Sequence, residues 1–98
     1  MLCMMSAKKA RELSIPESKW IFMYSGACLN DIWNVSDRIN YHSSPAIKAC
    51  TDNVFDLANL TIDDLDYIDL YSCFPSAVQI AMNELGLSKN DPRGLTVT

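Results

Sequence analysis

Residues 71–74, Tyr-Ser-Cys-Phe, place a phenol, a hydroxyl and a thiol directly before Pro75. Proline is typical of the first turn of a helix, so Cys73 would stand at the positive end of a helix dipole, which stabilises a thiolate. A cysteine nucleophile also needs a base, and the single histidine, His42, is remote in sequence. We therefore do not assign Cys73 as a nucleophile. The alternative is that it packs as a small apolar side chain at a strand end.

The stretch between residues 25 and 44 is the second candidate region. It is rich in Asn, Asp and Ser and has no hydrophobic period, which predicts a long loop containing one helical turn. Long irregular loops in compact domains are often functional, so Trp33 and His42 are candidate substrate-binding residues. The alternative for His42 is a partly exposed loop side chain without a binding role.

Two sets of residues could suggest a metal site. The cysteines, at positions 3, 28, 50 and 73, have no CxxC spacing, which excludes a zinc-finger pattern and favours reduced, buried thiols. The aspartates at positions 63, 64, 66 and 69 lack the glycine-bearing loop of a calcium site and predict a solvated turn. We expect neither a metal nor a bound cofactor.

Length and composition narrow the class of protein. The chain has 98 residues, of which 49% are hydrophobic and 20% charged, as in one small globular domain. Its net charge of −4 gives no electrostatic basis for nucleic-acid binding. The sequence contains neither a membrane-spanning run nor a signal-peptide pattern, so with reduced thiols we expect a cytoplasmic protein.

Helix signals occur in three parts of the chain. Residues 1–13 are good helix formers and predict the first helix. Ser44 and Pro45 are a typical N-cap and first-turn pair, and apolar residues follow them at spacings of three and four. Pro75 opens the last helix, and Gly86 is placed to end it.

Between these helices the sequence predicts strands. Residues 20–24, Trp-Ile-Phe-Met-Tyr, form a bulky run typical of a buried strand, Ile68 and Leu70 alternate with polar residues, and residues 95–98 are β-prone. Thr61 can cap a short turn before the second of these segments. The alternation of helices and strands predicts an α/β fold, a βαβ-type layered sheet with helices, over residues 1–98.

Residues 62–87, IDDLDYIDLYSCFPSAVQIAMNELGL, resemble the thiolase superfamily, in particular acetyl-CoA acetyltransferases related to sterol-carrier-protein thiolase. That family has an acidic lead-in, a strand, a motif written His-Asp-Cys-Phe or Asn-Glu-Ala-Phe, and a helix ending in Glu-Leu-Gly-Leu or Ala-Leu-Gly-Leu. Residues 7–20 and 34–50 resemble segments that precede this motif. Residues 91–98 resemble the approach to a glycine-rich loop. The resemblance implies an incomplete thiolase-like C-terminal domain.

The resemblance implies acyl transfer and Claisen chemistry on coenzyme A thioesters, in which the family motif serves the oxyanion side of the site. Tyr71 stands at the position of the family's His or Asn, and Ser72 replaces the acidic residue. Cys73 and Phe74 match the His-Asp-Cys-Phe form. We therefore expect Tyr71, Ser72, Cys73 and Phe74 to supply the oxyanion-side loop, with acyl-CoA as the substrate of a full-length parent protein.

Two functions stay open at this point. The family's nucleophilic cysteine and its downstream histidine and cysteine motifs have no counterpart in the sequence, so we expect this part of an acyltransferase to be inactive alone. The alternative is a truncated, non-catalytic module for assembly or acyl-CoA binding, which would associate, for example as a homodimer, through the exposed edge of its sheet.

Overall fold

The structure, a computed structural model, describes residues 3–96. Its α-helices are α1, Ala7–Glu12; α2, Pro45–Ala58; and α3, Pro75–Glu84. Short 3-10 helices occupy Glu17–Lys19, Val35–Asp37 and Ile62–Asp64. The remaining described residues are turns and irregular segments.

Helix α2 begins where its capping residues predict. The Ser44 hydroxyl accepts a hydrogen bond from the Ile47 amide at 3.3 Å, and Pro45 occupies the first turn, where a missing amide hydrogen costs nothing. The helix ends at Asn59, which adopts the left-handed conformation with φ 53°. Its amide donates to the carbonyls of Asp56 and Phe55, and the Leu60 amide also donates to Phe55 at 3.1 Å.

Helix α3 follows the predicted pattern and packs against α2. Pro75 lies in its first turn, and Gly86, with φ 69°, follows its last residues in the conformation that glycine adopts most easily. Met82 on this helix and Leu87 just beyond it are buried, as is Ala58 at the end of α2. The α2–α3 pair therefore forms the centre of the described structure.

Helix α1 is shorter than the predicted span of residues 1–13. Its N-cap is Ser6, whose hydroxyl accepts a hydrogen bond from the Lys9 amide at 3.2 Å. Ser14 ends the helical stretch with φ 54°. The helix-forming residues before Ser6 stay outside the helix because the serine side chain offers the backbone a cap at that point. Residues 1 and 2 lie outside the described part of the chain.

The predicted α/β layered sheet is wrong: residues 3–96 contain no β-strand. Residues 20–24, expected as a buried strand, are irregular, and Ile21 and its three successors are exposed. The other two predicted strands are the segment that contains Ile68 and Leu70 and the segment at residues 95–98. A hydrogen bond joins them, in which the Leu70 amide donates to the Leu95 carbonyl at 2.9 Å. A strand needs a ladder of such bonds to a neighbouring segment, and the β-prone composition of these segments does not supply the neighbour. Of the predicted strand at 95–98, residues 97 and 98 lie outside the described range.

The absence of a sheet in residues 3–96 also removes the expected route to association. The homodimer was predicted through an exposed sheet edge, and the described residues have no such edge.

The predicted loop between residues 25 and 44 is irregular, as expected, and contains one 3-10 turn, Val35–Asp37. The Ser25 hydroxyl donates to the Val54 carbonyl at 3.0 Å, which fixes the start of this loop to α2.

The chain is more open than a compact domain of its size. Its radius of gyration is 16.7 Å, against about 13 Å for a compact chain of this length. Its solvent-accessible surface is 8243 Å², against roughly 5,600 Å² for a compact protein of this mass. Large apolar surface therefore faces outward.

No helix in residues 3–96 has the length and apolar content that a membrane span requires.

Candidate functional site

A cavity of about 550 Å³ opens beside the α2–α3 pair. Helix α2, helix α3, the loop of residues 25–44 and the segment of residues 69–73 all contribute to its wall. The residues that line it are Leu29, Asp31, Ser44, Ala46, Ile47, Cys50, Thr51, Asp69, Leu70, Tyr71, Cys73, Ala77, Ala81 and Leu85. The cavity is wide open to solvent, and its wall is mostly apolar with a few polar groups.

The predicted oxyanion-side loop lies at this cavity. Tyr71 and Cys73 are on its wall, whereas Ser72 and Phe74 are not among the lining residues. All four side chains of the loop are exposed, and Tyr71 is 85% exposed. Phe74 is the N-cap of α3, so the loop leads directly into that helix. The Tyr71 hydroxyl is therefore accessible to a ligand from solvent.

The structure does not bring the two candidate substrate-binding residues to this cavity. Trp33 is 83% exposed, next to the 3-10 turn Val35–Asp37, and does not line the cavity. His42 is also exposed and outside the lining; its backbone amide donates to the Asn40 side chain at 3.0 Å. A role for Trp33 and His42 in substrate binding stays a prediction.

Ser44 is buried and connects three parts of the chain, whereas the sequence predicts it only as a helix cap. Its hydroxyl donates to Asp31 Oδ2 at 2.6 Å, and its backbone amide donates to Glu84 Oε1 at 2.8 Å. The residue is 7% exposed and contacts the loop of residues 25–44, the start of α2 and the end of α3 at once. No local sequence signal identifies Asp31 and Glu84 as its partners, because both are distant along the chain.

Asp31 carries a negative charge at the cavity wall. The hydrogen bond from the Ser44 hydroxyl lowers the pKa of its carboxyl below the ordinary value, with a second contribution from the Ile32 amide, which donates at 2.8 Å. Partial burial acts in the opposite direction, and the Arg38 guanidinium adds a further small lowering. Asp31 is therefore ionised at neutral pH, and it supplies an acceptor to this side of the cavity.

The thiols differ from the sequence-based expectation. All four cysteines are free, as predicted, but Cys3, Cys28 and Cys73 are exposed instead of buried. Cys50 is half-buried on α2 and lines the same cavity as Cys73. The expectation of burial was wrong because it rested on apolar neighbours in sequence, and in this open chain many of those neighbours are themselves exposed.

A second polar cluster fixes the chain that leads to residues 71–74. Arg93 Nη1 donates to the carbonyls of Ile62, at 2.5 Å, and Leu65, at 3.1 Å. The same guanidinium donates to both carboxylate oxygens of Asp91, and these hydrogen bonds lower the pKa of Asp91 to about 2. The Thr61 amide and hydroxyl donate to Asp64 at 2.7 and 2.8 Å, which closes the predicted capped turn.

No three His, Cys, Asp or Glu side chains among residues 3–96 lie close enough to hold a metal ion. The site therefore consists of a mainly apolar cavity with a phenol, two thiols, two hydroxyls and two carboxylates on its wall. Such a set can orient a carbonyl compound by hydrogen bonding. No histidine stands among the lining residues, since His42 is outside the cavity. The lining carboxylates are Asp31, which accepts hydrogen bonds from Ser44 and Ile32, and Asp69.

Neither a protein-family model nor a curated protein matches the chain. Among solved structures, the chain is similar to the monomeric SCP2-thiolase-like protein type 1 from Mycobacterium smegmatis, with a TM-score of 0.85 and 36% sequence identity. The match covers 96% of this chain and 21% of that protein, so the chain spans about a fifth of its length. By structure and by sequence, the chain is related to the SCP2-thiolase-like proteins.

Proposed function

We propose that the chain is part of a thiolase-like acyl-CoA C-acyltransferase and that residues 71–74 supply the oxyanion side of its acyl-transfer site. The observation that carries the proposal is the position of Tyr71 and Cys73 on one cavity wall, in a chain whose relative is SCP2-thiolase-like. Both residues lie in the stretch whose sequence resembles the thiolase motif. The substrate class proposed on this basis is a coenzyme A thioester, and the setting is lipid metabolism in the cytoplasm.

The chemistry proposed for the wall is hydrogen bonding to a thioester carbonyl. Acyl transfer builds negative charge on the carbonyl oxygen, and a donor placed there stabilises the transition state. Tyr71 carries such a donor and is accessible to a ligand. Ile47 on α2, Ala77 on α3 and Leu85, which follows α3, give the cavity an apolar surface against which an acyl chain can pack.

The chain alone should not catalyse the reaction. A cysteine nucleophile needs a base or a lowered pKa, and the histidine of this chain lies outside the cavity. We propose that the acylated cysteine and its activating histidine belong to polypeptide outside these 98 residues. Cys73 then lies beside the reacting carbonyl and forms no covalent bond with the substrate.

The inactivity of the chain alone is tested by acetoacetyl-CoA cleavage in the presence of free coenzyme A. We expect the purified chain to show the same rate as a double variant, Tyr71→Ala with Cys73→Ala, and as a blank without protein. A rate for the unmodified chain above that of the double variant would show that the site is complete within these residues.

A non-catalytic acyl-CoA-binding or assembly module is the second candidate. It is favoured by the exposed apolar surface together with a cavity that has no histidine among its lining residues. Backbone amide shifts during an acetyl-CoA titration separate the two functions. Saturable shifts of the Tyr71 and Cys73 amide signals in the chain alone would favour the module, provided that no thioester is cleaved when the chain is part of a larger thiolase-like protein.

A further inference from the structure

Residues 21–24, Ile-Phe-Met-Tyr, form an exposed apolar segment. Each of the four side chains is between 70% and 92% exposed, so the described chain leaves most of the segment uncovered. Single exposed apolar residues are ordinary, but contiguous ones on a soluble protein mark contact surfaces. The exposure of four contiguous apolar residues is therefore unexpected in a folded, isolated domain.

The apolar segment is held in place at both ends. Before it, Trp20 Nε1 donates to the Ile15 carbonyl at 3.1 Å, and the Arg11 guanidinium lies 5.2 Å from the centre of the Trp20 ring. The Trp20 and Phe22 rings meet edge to face at 6.2 Å. After it, the Ser25 hydroxyl donates to the Val54 carbonyl on α2 at 3.0 Å. The segment is thus presented at a defined position between α1 and α2.

The area to be covered is large. The chain exposes 8243 Å², roughly 2,600 Å² more than a compact protein of its mass. A standard protein–protein interface buries about 800 Å² on each partner. The excess is about three times that figure, in the range of surfaces that are permanently covered. An occupant that covers this excess must be extensive.

The relative of known structure indicates what the occupant is. It is described as monomeric, and this chain matches 21% of its length, so no second subunit is available to cover the matched part. We infer that the apolar segment, residues 21–24, is an interior surface that is covered by the remaining part of a thiolase-like polypeptide. A second copy of this chain is disfavoured, because the excess exposed surface is about three times what one partner buries in a standard interface. The inference rests on the proposed function in taking the chain as part of a longer thiolase-like polypeptide, and it adds which surface that polypeptide covers.

The test is a graft of this chain into the Mycobacterium smegmatis protein in place of the matched segment. We expect the graft to be monomeric, to unfold in one cooperative transition and to bind little of an apolar fluorescent dye. The 98-residue chain alone should bind the dye strongly. Phe22→Glu in the graft should abolish the cooperative transition, because a carboxylate in an apolar interior is strongly unfavourable. Lys19→Glu, which adds the same group at an exposed position nearby, should shift the melting temperature by only a few degrees.

Three results would overturn the inference. The first is a Phe22→Glu graft that melts like the unmodified graft, since the segment would then face solvent. The second is a graft of the unmodified chain that never reaches a folded monomer, since the surfaces would not fit. The third is a discrete dimer of the isolated chain that Phe22→Glu dissociates, since a second copy would then be the occupant. Turnover is not part of this readout, so loss of thioester cleavage in a folded graft into an active thiolase contradicts the proposed function alone.

Discussion

Replacing Ser44 with alanine removes two hydrogen bonds at the buried junction beside the cavity. The lost contacts are the one that the Ile47 amide donates to the hydroxyl, at 3.3 Å, and the one that the hydroxyl donates to Asp31, at 2.6 Å. The backbone amide of residue 44 keeps its bond to Glu84 in the variant. The perturbation is therefore confined to the first turn of α2 and its contact with the loop of residues 25–44.

The size of the effect follows from the capping contact. Loss of a serine N-cap to alanine costs about 1 kcal/mol, which corresponds to roughly a fivefold change in a local opening equilibrium. The amide of Ile47 should therefore exchange its hydrogen with solvent about five times faster in Ser44→Ala. The carboxyl of Asp31 also loses the principal cause of its lowered pKa, so that pKa should rise toward the ordinary value.

Hydrogen exchange followed by NMR measures the first effect, and a carboxyl-carbon titration measures the second. Ser44→Thr is the matched control, because threonine keeps a hydroxyl that can cap the helix and donate to the carboxylate. It should leave both readouts close to those of the unmodified chain. Unchanged exchange at Ile47 in Ser44→Ala would refute the assignment of Ser44 as the junction that holds this side of the cavity.

Three further predictions concern the polar cluster, the thiols and the phenol. Asp91 should titrate near pH 2, and Arg93→Gln should raise its pKa toward about 3.9, as a carboxyl-carbon titration can measure. Because that pKa is lowered on folding, the order of this turn should be intact above about pH 4 and lost as the pH falls toward about 2. Alkylation followed by mass spectrometry should label exposed Cys73 before half-buried Cys50; equal rates would contradict their placement. In a catalytically competent graft, Tyr71→Phe should lower kcat about tenfold through loss of one hydrogen bond, and an unchanged kcat would remove its donor role.

The features that sequence predicts well here are those set by local chemistry. Ser44 and Pro45 begin α2, and Gly86 follows the end of α3, because capping and positive-φ preferences act within one turn of the backbone. The thiolase resemblance also depends on contiguous residues, and the match to an SCP2-thiolase-like protein confirms it.

The features that sequence misses depend on distant partners. Residues 20–24 have strand composition, but strands exist only through hydrogen bonds to a neighbouring segment, and residues 3–96 pair none of them into a ladder. The junction of Ser44 with Asp31 and Glu84 joins positions that are 13 and 40 residues away, so no periodicity signals it. The cavity wall shared by Cys50 and Cys73 arises in the same way, from the packing of α2 against α3.

The central claim is that Tyr71 and Cys73, within residues 71–74, lie on one wall of a thiolase-type acyl-transfer site. The most direct measurement is acetoacetyl-CoA cleavage by a thiolase of known activity in which this chain replaces the structurally equivalent segment. The account predicts a folded graft with turnover that falls when Tyr71→Ala and Cys73→Ala are introduced together. A graft that unfolds cooperatively, and whose turnover the double substitution leaves unchanged, would contradict it.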